Sequence, residues 1–79
     1  MARRRARLIF SRDLVTEPVI HQLGVRFGIV TNIRRADVTH DQGWVLLEMN
    51  AEPEVLDSGV AYLEERGVRV EPVEGDLVE

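Results

Sequence analysis

Hydrophobic and polar positions along the chain follow two different periods. "ARLIFS" (6–11) puts Ala6, Leu8 and Phe10 at every second position, the spacing of a half-buried strand. "TEPVIHQLGVRFG" (16–28) changes to helical spacing, with Ile20, Leu23, Gly24 and Phe27 in one stripe. Thr16 is placed to cap this helix, Pro18 falls in its first turn and Gly28 ends it. Gly24, inside the stripe, is expected to let the helix approach a sheet closely. "IVTNIRRADVTH" (29–40) returns to a strand-like pattern, but only Ala36 and Val38 alternate cleanly. Arg34 falls in their phase, so a regular strand turns its guanidinium toward the core side. "DQG" (41–43) is turn chemistry, an Asp with a Gly suited to positive φ. "WVLLEMN" (44–50) alternates Val45, Leu47 and Met49 against Trp44, Leu46 and Glu48. A second helix runs from about Pro53 to Arg66, with Leu56, Gly59, Val60 and Leu63 on one face and Gly67 beyond its end. "VRVEPV" (68–73) reads as an edge strand, because Pro72 has no N–H to give a ladder.

The order is therefore strand, helix, strand, strand, helix, strand. Right-handed crossovers lead to a four-stranded antiparallel sheet with both helices on one face. This is the ferredoxin-like α+β sandwich, in βαββαβ order. The 79 residues make one domain, with a core over about 6–73, a basic flank at 1–5 and an acidic tail at 74–79. The fold hosts many unrelated functions, so function must come from particular residues.

Composition narrows those functions. All ten basic residues are arginine, and four of them fall in the first seven positions. The tail carries Glu74, Asp76 and Glu79, and the net charge is −4, which argues against general polyanion binding. The chain has no cysteine, which excludes disulfides, thiolate metal sites and thiol catalysis. The start, "MARRRARLIF", holds too short an apolar run for a signal peptide or a membrane span. A cytoplasmic protein without direct membrane contact is expected. A core this small is marginal, and association with a second copy is the common remedy.

No catalytic residue, cofactor or metal site is expected. His21 and His40 stand far apart with no further ligand set, and no serine has a His and acid around it. Phosphate chemistry of the kind some proteins of this fold perform needs a glycine-rich loop after the first strand, and "SRDLVTEP" has no glycine. Nucleic-acid binding through the open sheet face lacks its aromatic signature in "WVLLEMN". Binding chemistry is better represented. Asn32 offers one amide acceptor and two donors, either to the ends of a zwitterion or to its own turn. Arg34 and Arg35 either hold a carboxylate through a bidentate fork or lie solvated. Ile33, Leu46 or Met49 would supply an apolar wall. Trp44 and Leu46, opposite the helices, are left on the uncovered side as an interaction surface. Tyr62 reads as a helix-edge packing residue.

"FGIVTNIRRADV", the hairpin after it, the Leu-Glu pair of "VLLEMN" and "AYLEERGVRV" together resemble the NIL domain, over roughly Arg7 to Val73. Asn32 and Ile33 match the Asn-Ile-Leu signature that names the family, and Arg34 stands in place of its leucine. Members form the C-terminal regulatory domain of methionine-import ABC ATPases, stand alone, or are joined to iron–sulfur ferredoxin modules. The resemblance implies a free-standing regulatory domain of sulfur amino-acid metabolism or transport, with methionine or a related amino acid as ligand. Together with the residue chemistry above, it gives Asn32, Ile33, Arg34 and Arg35 as the expected ligand-binding residues; it also implies a homodimer, for which the uncovered Trp44 and Leu46 are the expected interface. It also leaves open an accessory module that docks on a sulfur-metabolism enzyme, transporter or ferredoxin with no free ligand.

Overall fold

A computed structural model describes residues 1–11, 18–39 and 42–73. Its elements run β1 (Ala2–Phe10), α1 (Val19–Phe27), β2 (Val30–Val38), β3 (Gly43–Ala51), α2 (Pro53–Glu65) and β4 (Arg69–Val73). The sheet order is β2-β3-β1-β4 and every pairing is antiparallel. The βαββαβ order and the four-stranded sheet with two helices agree with the sequence pattern, and β4 lies at an edge as Pro72 requires.

The two helices cover one face. Ala6, Leu8 and Phe10 of β1 join Val45, Leu47, Met49 and Ala51 of β3 in one cluster with Val19 and Leu23 of α1 and Leu56 and Leu63 of α2. Leu8, Leu23, Leu47, Met49, Leu56 and Leu63 are wholly enclosed. Each is worth about 1.5–3 kcal/mol over an exposed position. α2 ends in a Schellman motif. The Gly67 N–H donates to Glu64 O at 3.0 Å and the Val68 N–H to Leu63 O at 2.9 Å. Gly67 takes φ 91°, a region that glycine enters without cost.

Several local expectations change. β1 begins at Ala2, so Arg3, Arg4 and Arg5 belong to the sheet. Their charges have places to go: Arg4 reaches Asp57 of α2 at 3.0 Å, and Arg5 pairs within the open face. The expected cap Thr16 lies outside the described residues. Pro18 precedes α1, which has no side-chain cap there. Gly43 does not take positive φ; it begins β3, and a Cβ on it would meet Val38 Cγ2 at 3.1 Å. The rest of that turn, at position 41, also lies outside the described residues. Gly24 is exposed, and a Cβ there would touch only Ile29 O at 3.7 Å, so it is not the point of close approach. That role falls to Gly59 of α2, which packs on Ile29 and Leu23.

The irregular phase of β2 has a simple cause. Its register against β3 slips between Ile33 and Arg35, so Arg34 is an extra residue in a β-bulge. Before the slip Thr31 and Ile33 lie opposite Met49 and Leu47; after it Ala36 and Val38 lie opposite Val45 and Gly43. All four therefore share the helix-covered side. Arg34 is not driven into the core, because the bulge absorbs one residue and resets the alternation.

Candidate functional site

The uncovered face can be read row by row from the register. Asp37, Trp44, Ile9 and Arg69 form one row across β2, β3, β1 and β4. Arg35, Leu46, Arg7 and Glu71 form the next. Asn32, Glu48, Arg5 and Val73 follow, then Val30, Asn50 and Arg3 on three strands. Arg3, Arg5 and Arg7 thus run down the centre of this face at every second position. The face is rich in arginine although the whole chain is acidic, because α2 carries Glu54, Asp57, Glu64 and Glu65 on the opposite layer.

Glu48 anchors the centre of that face. Its side chain is buried, and Arg5 Nε donates to Glu48 Oε2 at 3.1 Å. This hydrogen bond holds the Glu48 carboxyl below its usual range. Burial opposes the shift, and the charges of Arg3, Arg5 and Arg34 add to it. The charge of Arg34 thus contributes to the Glu48 shift although Arg34 is the extra residue of the bulge.

The sequence-derived site residues separate. Asn32 and Arg35 are exposed and share the open face, in adjacent rows. Ile33 lies opposite Leu47 on the helix side, 54% exposed, so it does not face a pocket with Asn32. Met49 is fully buried under the helices and cannot supply a ligand wall. Trp44 and Leu46 do lie opposite the helices, but they are not left uncovered. Leu46 is only 7% exposed, flanked in its row by Arg35 and Arg7. Trp44 is half-buried, with the Arg7 guanidinium 5.1 Å above its ring. The exposed large apolar side chains of the sheet are Val30, Ile33 and Val38, all on the edge strand β2. Tyr62 packs at the helix edge as expected, tilted against Phe27 with ring centroids 5.4 Å apart and Arg26 over its ring.

Cavities adjoin both sides of the sheet among the described residues. One, of about 240 Å³, opens on the helix side between Phe10, Val19, Ile20 and Val38, with neither an arginine nor a carboxylate among the described residues that line it. Another, of about 280 Å³, lies on the open face between Arg7, Ile9, Asp37 and Trp44, with Thr39 and Gln42 at its end. Thr39 and Gln42 fix that end: the Thr39 N–H and hydroxyl both donate to Gln42 O, at 2.8 and 2.9 Å. Arg7 and Asp37 had no part in the sequence reading of the site. The signal was present in the alternation of Arg3, Arg5 and Arg7 with Arg4, Ala6 and Leu8, which continues the strand into the basic start. Among the described residues no group of three or more His, Cys, Asp or Glu is placed to hold a metal ion. Nor is any helix among them long and apolar enough to cross a membrane.

A four-stranded ferredoxin-like sheet with a polar, arginine-lined open face defines the class. A family model for the NIL domain matches residues 4–72, and the chain belongs to that family. The structure is similar to the C-terminal domain of an ABC transporter ATP-binding protein from Enterococcus faecalis. The TM-score is 0.78 at 14% identity, covering 92% of this chain and 86% of that one. At that identity the likeness establishes the fold. No curated protein matches the chain in sequence.

Proposed function

We propose that this NIL domain is a small-molecule-binding regulatory domain for methionine or a related amino acid, acting in sulfur amino-acid metabolism or transport. The observation that carries this reading is the pairing of Asn32 with Arg35 on one accessible face. The bulge at Arg34 sets their phase, so an amide and a guanidinium stand in adjacent rows beside Glu48. An amide with both donors and an acceptor suits the polar ends of an amino acid, and a guanidinium suits its carboxylate. The family and the fold shared with an ABC transporter ATP-binding protein's C-terminal domain support a transport-linked regulatory role. A homodimer is part of the same proposal, because one side of a four-stranded sheet encloses a small ligand poorly. The apolar residues available for pairing lie along the edge strand β2, Val30 on the open face and Ile33 and Val38 on the helix side.

The test is a titration of isotope-labelled protein with L-methionine, L-homocysteine and other amino acids, followed by NMR. Localised shifts around Asn32 and Arg35 are expected. No shift with any amino acid would remove this reading. The accessory role then takes its place, with the domain docking on a sulfur-metabolism enzyme, transporter or ferredoxin with no free ligand.

A further inference from the structure

We infer that the open-face groove beside Trp44 is an α-amino acid clamp, in which Arg7 takes the carboxylate and Asp37 the ammonium. The inference rests on the reading that this domain binds an amino acid, and it assigns the two charged contacts to residues outside the family's signature.

Three observations place a zwitterion there. First, Asp37 and Arg7 flank one indole from opposite sides. Asp37 is the cross-strand neighbour of Trp44 on β2, and Arg7 reaches over its ring from β1. Second, neither charge is spent on an ion pair among the described residues. Among the described residues Asp37 has no ion pair, and Arg7 meets the Trp44 ring but no carboxylate. Its cross-strand neighbour Glu71 pairs instead with Arg69, at 3.2 Å. Third, the Arg7 guanidinium carbon lies 5.1 Å from the centre of the Trp44 ring, a cation–π contact that leaves N–H donors available to a carboxylate.

The charge pattern selects the ligand class. A simple anion on Arg7 would lie near Asp37 and be repelled by it, and a simple cation would be repelled by Arg7. A molecule that carries an ammonium and a carboxylate on one carbon satisfies both. The groove floor is apolar, from Trp44 and Ile9, and its volume of about 280 Å³ accepts one amino acid rather than a nucleotide. Asn32 and Arg35 lie in the rows beyond, outside the residues that line the groove.

Trp44 is the sole tryptophan of the chain, so its emission reports on this groove alone. The experiment titrates L-methionine, L-methioninamide and N-acetyl-L-methionine into the intact protein, following Trp44 fluorescence and, in parallel, calorimetric heat. L-Methionine is expected to change the emission, and each blocked derivative to bind roughly tenfold to a hundredfold more weakly, the loss of one charged hydrogen-bonding partner. Arg7→Gln should abolish the preference for methionine over its amide. Asp37→Asn, at an exposed position that leaves the core untouched, should abolish the preference over the N-acetyl form. Methionine heat with no change in Trp44 emission, and with affinity unaltered in both variants, overturns the clamp and leaves amino-acid binding at Asn32 and Arg35 in place. No heat and no emission change with methionine overturns the clamp as well, and the NMR titration above then decides the wider reading independently.

Discussion

Gly59 of α2 and Ile29, the residue before β2, meet with no room for one more carbon. A Cβ on Gly59 would lie 2.5 Å from Ile29 Cδ1 and 3.4 Å from Leu23 Cδ2. Ile29 is itself buried, so its side chain has nowhere free to move. Alanine at 59 gains about 1 kcal/mol of helix propensity, against an overpacking cost of about 1–3 kcal/mol. Gly59→Ala is expected to lose about 1 kcal/mol net in urea unfolding. Ile29→Val removes the opposing Cδ1, so the double variant should be more stable than the sum of the two singles by at least about 0.5 kcal/mol. Strict additivity would mean that this contact is not the cause.

Gly24→Ala should act in the opposite direction. Gly24 is exposed within α1, its φ is not positive, and a Cβ there makes an ordinary 3.7 Å contact. A gain of about 0.5–1 kcal/mol is expected in the same unfolding assay. A loss would show that α1 sits closer to its neighbours than Ile29 O indicates.

The Arg5–Glu48 pair makes a pH-dependent contribution to stability. Glu48 has a lowered pKa in the folded chain, chiefly through the hydrogen bond from Arg5. The unfolded chain therefore binds the proton first. The contribution is fully present above the ordinary glutamate value and is lost as pH falls through the lowered folded one. Glu48→Gln should be less stable than the parent at neutral pH. The gap between them should close as pH falls below the ordinary glutamate range. A constant gap from pH 7 to pH 3 in denaturant midpoints would show that the carboxylate's charge does not carry the effect.

Asn32→Ala is expected to weaken L-methionine binding by roughly 1–3 kcal/mol, the range for leaving a polar partner unpaired. Thermal stability should fall much less, since Asn32 is exposed on an edge strand. Unchanged affinity in calorimetry with a large drop in thermal midpoint would identify Asn32 as a structural residue instead.

Association is expected to depend on β2. Ile33 is 54% exposed, so Ile33→Lys should leave the fold intact and shift sedimentation equilibrium toward monomer. Leu46→Glu is a poorer probe, because Leu46 is buried within the single chain and its loss would register first as instability. A wild-type monomer at high micromolar concentration, with and without methionine, would remove the dimer.

How much of this could be read from the chain depends on how local each determinant is. The strand and helix order was legible because it rests on periodicity, which Ala6, Leu8 and Phe10 or Leu56 and Leu63 display within a few residues of one another. The family signature at Asn32 and Ile33 was legible for the same reason. Which of the two glycines in apolar helix stripes sits at a tight contact was not legible. Gly24 and Gly59 have similar local sequence, and only the packing of Ile29 against α2 distinguishes them.

The clearest division runs through β2 and β1. By itself the sequence determined that 29–40 is a strand with a misplaced arginine and that the first residues are basic. Tertiary structure decided what both mean. The misfit at Arg34 resolves only against a partner strand, because a bulge is defined by two residues opposing one. The basic start becomes the centre of the open face only when β1 pairs with β3 and β4, which sets Arg5 against Glu48 and brings Arg7 over Trp44. These contacts join positions far apart in sequence, and cross-strand register, which no local pattern encodes, is what places them together.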